Sequence, residues 1–332
     1  MIISRTPFRV SFAGGGSDLK QYYQRGYGAV VSTAINKFMY VTVNRTFDTN
    51  IRVVYSKCEY VENTGEIEHN LAREALKLLG ITRGGLDIVY MGDMLPAHAG
   101  SGLGASSSLT SGLLNALHAL RGEVVTAETL AREACRIEVE ILGRPIGKQD
   151  QYAAAYGGLN YIRFNKDESV SVEPITCLEE TRNRLDRNLL LFYTGLNTQS
   201  DKIMAEQEGK TPENTPILDK MVALSAELKE ALTGNDLTRF GEILHQGWLY
   251  KQALASEITN PVIDGYYEKA RKAGAIGGKI LGSGGGGFLL LYCEEKHQGR
   301  VREALTQLRE APFRMEAAGS RIVYNSDQAS GC

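Results

Sequence analysis

β-Branched and aromatic residues crowd the stretches 2–11, 29–34, 38–45 and 51–57, each bounded by Gly, Asn or Asp, a pattern that predicts strands of a mostly antiparallel sheet. Another strand is expected at 86–91. The apolar residues then switch to helical spacing: Leu109, Leu113, Leu117 and Leu120 mark one stripe, and Leu130, Ala134, Ile137 and Ile141 a second. Two consecutive helices follow, the second over 128–142. Strand patterns return at 159–164 and 169–175, and the polar stretch 177–187 reads as a lobe boundary. Beyond it lie a strand at 188–193 and several helices, the clearest marked by Ile217, Met221, Leu224, Leu228 and Leu232. Two strands at 275–281 and 287–293 flank a glycine run, and a helix over 295–308 precedes a last strand at 321–324. No internal repeat appears. The expected fold class is α+β, with two lobes, residues 1–177 and 178–332, packed as one body.

The 332 residues carry 37 Lys plus Arg against 39 Asp plus Glu, a formal net charge of -2, so no basic field draws nucleic acid or an anionic membrane. The longest apolar runs, such as 288–293, fall far short of the roughly 20 residues that cross a bilayer. Arg5, Pro7 and Arg9 interrupt the N-terminus where a signal peptide needs an unbroken apolar core. The five cysteines (Cys58, Cys135, Cys177, Cys293 and Cys332) are scattered and contain no CxxC pair, the usage of a cytoplasmic protein with free thiols. Of the 36 glycines, by contrast, a large share bunch in three places.

The central bunch, Pro96-Ala-His-Ala-Gly100-Ser101-Gly102-Leu103-Gly104-Ala105-Ser106-Ser107-Ser108, lies between a predicted strand and the first leucine-striped helix. Glycines let the backbone approach a ligand closely, and the free N–H groups of the next helical turn attract anions, so the segment reads as a phosphate cradle. Ser106 reads as a phosphate or Mg²⁺ contact; capping or packing accounts for Ser108. The Walker pattern is absent, because Gly147-Lys148 is followed by Gln149 and Gly278-Lys279 by Ile280. Gly100-x-Gly102-x-x-Ala105 fits the loose dinucleotide fingerprint, but a helix follows where a Rossmann unit needs a strand.

Three segments in order carry a resemblance. Gly102-Leu-Gly-Ala-Ser-Ser-Ser108 resembles the Gly-Leu-Gly-Ser-Ser-Ala loop of the GHMP kinases. Pro7-Phe-Arg9-Val-Ser-Phe-Ala-Gly14-Gly15-Gly16-Ser17-Asp18 is similar to their first motif, and Lys279-Ile-Leu-Gly282-Ser-Gly284-Gly285-Gly-Gly287 to their third. The resemblance implies a first lobe like ribosomal protein S5 domain 2, a ferredoxin-like second lobe, ATP and Mg²⁺ as cofactors, and a phosphate loop over Gly100 to Ser107. It also implies Glu138 and Ser106 at the metal. Asp150, twelve residues after Glu138 in Gly147-Lys-Gln-Asp150-Gln, is implied at the acceptor hydroxyl as base or charge partner, with Arg9 beside the transferring phosphoryl group. Taken alone, Glu138 reads as a solvated helix charge, Asp150 as a loop cap and Arg9 as a strand residue; the joint spacing supports the catalytic reading.

For the acceptor, Asp18 aligns with the family's sugar-binding aspartate, with Gly15, Gly16, Ser17, Gly284 and Gly285 as further substrate contacts. Gly15-Gly16 stands where galactokinases carry Glu-His, which opens room for a longer or anionic tail. Phe12-Ala-Gly-Gly-Gly-Ser-Asp18, Gly147-Lys-Gln-Asp-Gln-Tyr-Ala-Ala-Ala-Tyr-Gly-Gly158 and Gly278-Lys-Ile-Leu-Gly-Ser-Gly-Gly-Gly-Gly-Phe288 are similar to the heptose 7-phosphate kinases within the family, implying transfer to an anomeric hydroxyl to give a 1,7-bisphosphate on the route to GDP-heptose; fucokinase and galactokinase-like sugar 1-kinases, or a non-catalytic relative, are the alternatives. Arg5, Lys148 and Arg163 are candidates for the second phosphate. The expected partner is thus a small-molecule sugar phosphate, with a homodimer as an option. His69, His98 and His245 have no ligand-spaced companions, and Trp248 continues an apolar stripe with Phe240 and Leu244, so packing roles are expected.

Overall fold

The computed structural model describes residues 1–94 and 102–326. Its first sheet opens with β1 (Ile2–Ala13) and β2 (Tyr27–Arg45), followed by β3 (Ile51–Val54), β4 (Cys58–Val61), β5 (Leu86–Gly92), β6 (Leu159–Asn165) and β7 (Val170–Pro174). β2 is one strand where the pattern predicts two. Its first half, Tyr27 to Thr33, pairs with β6, and its second half, Met39 to Arg45, pairs with β5. The two halves meet where the β1–β2 register jumps, with Pro7 opposite Phe38 and Phe8 opposite Ile35. Proline has no N–H to give the ladder, and the extra residues bulge there.

Helices Ala105–Leu120 and Gln149–Tyr156 pack on this sheet, Ala127–Cys135 packs on both of them, and Asn70–Leu78 packs on Ala105–Leu120. Leu113, Leu117, Leu130 and Ile137 join Phe8, Val10 and Val41 in one buried cluster, so the two predicted stripes face the core except at Ile141, which is exposed. The second helix departs from expectation at Arg136, where six residues to Ile141 continue as a π-helix. The stretch read as a lobe boundary is itself a helix, Glu179–Asn188. Glutamates begin it and Arg187 ends it, as the helix dipole favours, and Leu185 anchors it.

The second lobe holds β8 (Leu189–Tyr193), β9 (Gly277–Ile280), β10 (Phe288–Tyr292) and β11 (Arg309–Glu310) in the antiparallel order β11-β8-β10-β9. Helices Thr211–Thr233, Leu237–Gln252 and Pro261–Ala273 connect β8 to β9, and Glu295–Ala304 connects β10 to β11. That order and connectivity are ferredoxin-like. β12 (Arg321–Asn325) then leaves this lobe and pairs antiparallel with Ile2 to Arg5 at the edge of the first sheet. The lobes also share apolar core: Phe12 of β1 meets Phe240 edge-on at 5.1 Å between ring centroids. Among the described residues no helix is long and apolar enough to cross a membrane.

The β9–β10 turn is pressed against the first lobe. A Cβ on Gly282 would lie 2.4 Å from Gly102 Cα, and one on Gly102 2.6 Å from the Leu281 carbonyl oxygen. Only glycine allows this approach, which brings the second and third glycine clusters together.

Candidate active site

A cleft of about 640 Å³ opens between the lobes, lined by Arg9, Asp18, Ser106 and Asp150 of the first and by Lys251 and Lys279 of the second. Arg9, on β1 and 4% exposed, donates from Nε and Nη2 to the two oxygens of Asp150 at 2.8 and 2.7 Å. Its Nη1 donates to the Gly102 carbonyl at 2.5 Å, and its backbone N–H to Leu103 O at 3.1 Å. A guanidinium so placed ties the start of the phosphate loop to the carboxylate and keeps that carboxylate oriented.

At one end of the cleft, helix Ala105–Leu120 begins at Gly104, whose φ of 74° is left-handed and which no side chain caps. Among the described residues its first N–H groups therefore have no side-chain partner, and an anion there meets the positive end of the dipole. Ser106 faces the cleft. Ser107 instead turns inward and donates to Glu138 Oε2 at 2.6 Å, and Ser108 donates to Pro7 O at 2.8 Å, a packing role. Glu138, on the π-helical turn, is 0% exposed. Burial pushes its carboxyl above the usual range, opposed by Ser107, Arg144, Gln151 and Ser106. Its two oxygens differ: Oε2 takes Ser107 and Gln151 at 2.6 and 2.5 Å, whereas Oε1 has only Thr110 at 3.3 Å and Arg144 at 3.5 Å. The loosely held Oε1 together with the adjacent Ser106 hydroxyl fits Mg²⁺, which takes one or two protein oxygens when phosphates and water supply the rest. No cluster of three His, Cys, Asp or Glu suited to a metal occurs among the described residues.

At the other end, Asp18 is held by the Gly16 N–H at 3.0 Å, the Gln149 N–H at 3.2 Å and Gln149 Nε2 at 3.2 Å. A Cβ on Gly147 would lie 1.9 Å from Asp18 Oδ2, which explains the glycine of the Gly-Lys-Gln-Asp segment. Burial, then the neighbouring Asp150, push the Asp18 carboxyl up. Ser11 Oγ and Gln149 Oε1 are buried there with no hydrogen-bond partner among the described residues, and both residues line the cleft beside Gly15. Orphaned acceptors flanking a carboxylate suit a ligand rich in hydroxyls.

Arg9, Gly15, Gly16, Asp18, Gly102, Gly104, Ala105, Ser106 and Asp150 all converge on the cleft. Others are placed differently. Gly100, Ser101 and His98 lie outside the described residues. Leu103 is buried, its carbonyl used by Arg9. The Ser17 hydroxyl donates to Gly14 O and accepts from the Ala29 N–H, closing a turn rather than facing the cleft. Gly284 and Gly285 pack on the Ile258 backbone, and it is Gly282 and Ser283 of that turn that reach the cleft. Arg5 lies over the Phe38 ring, Lys148 pairs with Glu168 and Arg163 lies over Tyr27; none of the three lines the cleft. His69 caps a helix, His245 bonds Tyr267, and Trp248 is core. Sequence reasoning missed Lys251, Lys279, Arg144, Ser11 and Gln149. One signal was present: the stripe Phe240, Leu244, Trp248 continues three residues on to Lys251, a lysine on a buried face.

Residues 56–158 match the GHMP kinases N terminal domain, and residues 205–311 match the GHMP kinases C terminal domain. The chain belongs to the GHMP kinases. With that membership comes ATP as phosphoryl donor. A D-glycero-alpha-D-manno-heptose 7-phosphate kinase of Campylobacter jejuni is 27% identical over 92% of this chain and 93% of its own. An L-fucokinase/L-fucose-1-P guanylyltransferase of Bacteroides fragilis is 25% identical over 92% of this chain, which spans only 36% of that longer protein. The crystal structure of a D-glycero-D-manno-heptose 1-phosphate kinase from Bacteroides thetaiotaomicron superposes with a TM-score of 0.80 at 25% identity, covering 98% of this chain and 100% of that one. Here the uncapped helix start, Ser106 and Asp18 share one cleft, while Glu138 lies buried against Ser107 and does not itself line it.

Proposed function

We propose that this GHMP kinase transfers the γ-phosphoryl group of ATP to the anomeric hydroxyl of D-glycero-D-manno-heptose 7-phosphate, giving the 1,7-bisphosphate and ADP in the supply of GDP-heptose for surface polysaccharide. The observation that carries the reading is the Arg9–Asp150 pair, set between a helix N-terminus suited to phosphates and the hydroxyl-binding face of Asp18, Ser11 and Gln149. Asp150 accepts a hydrogen bond from the acceptor hydroxyl, orients it and takes its proton as the new O–P bond forms and the bond to the β-phosphate oxygen breaks. Arg9, held on Asp150, contributes permanent positive charge where negative charge spreads over the phosphoryl oxygens. Glu138 and Ser106 hold Mg²⁺, which neutralises the donor phosphates when bound.

The relatives' activities and the side-chain-free Gly15 support the phosphorylated heptose. A second reading, an unphosphorylated sugar such as L-fucose, is favoured by the engagement of Arg5, Lys148 and Arg163 outside the cleft. Coupled ADP release with ATP, Mg²⁺ and a panel of heptose 7-phosphate, fucose, galactose and mannose separates the two. Highest kcat/KM on the heptose phosphate supports the first reading, preference for fucose the second, and no turnover on any sugar overturns both.

A further inference from the structure

Two buried lysines in the cleft have no assigned task. Lys251, on helix Leu237–Gln252, and Lys279, on β9, are 6% and 5% exposed and both line the cleft. Lys251 Nζ donates to Ile280 O at 3.0 Å and Gly282 O at 2.5 Å, two of its three N–H groups. Lys279 Nζ has one long contact, to Phe12 O at 3.4 Å. The half-buried Asp150 is taken up by Arg9 and the buried Asp18 by Gly16 and Gln149, and among the described residues neither ammonium forms an ion pair.

Unpaired buried cations are strongly unfavourable unless a counter-charge arrives. Fixing the glycine turn accounts for Lys251 in part, but not for a second lysine with a single stretched contact. Their position is informative. Lys251 holds the Gly282 carbonyl, Gly282 touches Gly102, and the Gly102 carbonyl holds Arg9, so Lys251 lies one residue layer from the Arg9–Asp150 pair, and Lys279 lines the same cleft near enough to feel the Arg9 charge. We propose that Lys251 and Lys279, together with Arg9, form a buried dianion subsite that receives a phosphoryl group in the cleft. This rests on the kinase reading above and adds to it the residues that meet the phosphoryl charge from the second lobe. The group is either the one transferred from ATP or the one the acceptor already carries. Burial, then Arg9, hold Lys279 down at about 7, and burial, Lys279 and Arg9 lower Lys251, against a raising influence from Asp150. An arriving dianion raises both, so binding draws protons from solution.

The test uses Lys279→Met and Lys251→Met, which keep side-chain length and remove the charge, assayed for kcat and KM with heptose 7-phosphate and with an unphosphorylated sugar. If the donor's phosphoryl group is held, kcat falls roughly 100-fold on every acceptor. If the acceptor's phosphate is held, KM for the phosphorylated sugar alone rises about tenfold or more. Either supports the subsite. Wild-type kcat and KM in both variants, with melting temperatures no lower than wild type, overturns it. Should the variants not fold, calorimetry on the wild-type protein at about pH 8, in buffers of different ionisation enthalpy, decides: proton uptake on binding ATP or heptose 7-phosphate is expected, and none with either ligand overturns the subsite. A wild-type protein that turns over no sugar but takes up protons with ATP would overturn the function and leave the subsite standing.

Discussion

Asp150 carries its two short hydrogen bonds from one guanidinium, and that geometry separates binding from chemistry. Asn in its place keeps the shape but loses the charge and the proton acceptor. Asp150→Asn is therefore expected to lower kcat by roughly 100-fold or more while leaving ATP affinity within about threefold. Single-turnover rates and nucleotide binding by calorimetry check this, and near-wild-type turnover in the folded variant removes Asp150 from the mechanism. The acceptor end has its own probe. Gly15 has ordinary backbone angles, and a Cβ there would meet only Gln149 Nε2 at 3.8 Å and Ser11 Oγ at 3.9 Å, so a larger side chain is admitted without strain. Gly16, at φ 98° and with Leu218 at 3.3 Å, does not allow the same experiment. Gly15→Glu places a carboxylate beside the hydroxyl-binding face, where it repels a phosphorylated tail. Turnover of heptose 7-phosphate should drop about tenfold or more relative to that of a neutral sugar; equal losses on both would mean that Gly15 serves only the chain path.

At the scale of elements, the helix that starts at Ala127 changes to π-helical turns at Arg136, and this shift carries Glu138 into the core beside Ser107 and Gln151. π-Turns inside helices gather at functional sites. Glu138→Gln retains the size and loses the anionic oxygen that a hard cation prefers, so the Mg²⁺ concentration for half-maximal activity should rise about tenfold with little loss of thermal stability. An unchanged metal titration would make Glu138 a buried structural carboxylate. Sequence pattern anticipated the stripe of Leu109, Leu113 and Leu117, because helical spacing against a core is a local property. The family resemblance, not the pattern, grouped Arg9, Asp18, Ser106 and Asp150, and the fold brings all four to one cleft. The pattern read 177–187 as a lobe boundary and missed the helix that lies there between β7 and β8, because a helix with one buried leucine presents too weak an apolar stripe to stand out. Lys279 escaped notice for a different reason. In sequence it is one lysine among glycines, and only the crossing of β9 beneath Phe12 of the other lobe buries it.

For the molecule as a whole, β12 returns from the second lobe to β1, so the first lobe is built from two separate segments around a continuous second lobe and the two are tied at both ends. Burial of the cleft lysines should then register in global stability. Lys279 sits at about 7 in the folded protein against an ordinary 10.5. Between those values the unfolded chain binds more protons, so stability of the ligand-free protein rises with pH across the interval. The melting temperature of wild type minus that of Lys279→Met should therefore increase from about pH 7 to about pH 9, and a constant difference would place Lys279 in an ordinary solvated environment. The central claim is transfer of the γ-phosphoryl group of ATP to an anomeric hydroxyl of a phosphorylated heptose. Phosphorus NMR of the wild-type protein with ATP, Mg²⁺ and D-glycero-D-manno-heptose 7-phosphate tests it most directly. The account predicts one new resonance coupled to the anomeric proton, appearing in step with ADP while the 7-phosphate signal persists; a phosphoryl group on any other hydroxyl, or ADP formation without a new sugar phosphate, would contradict it.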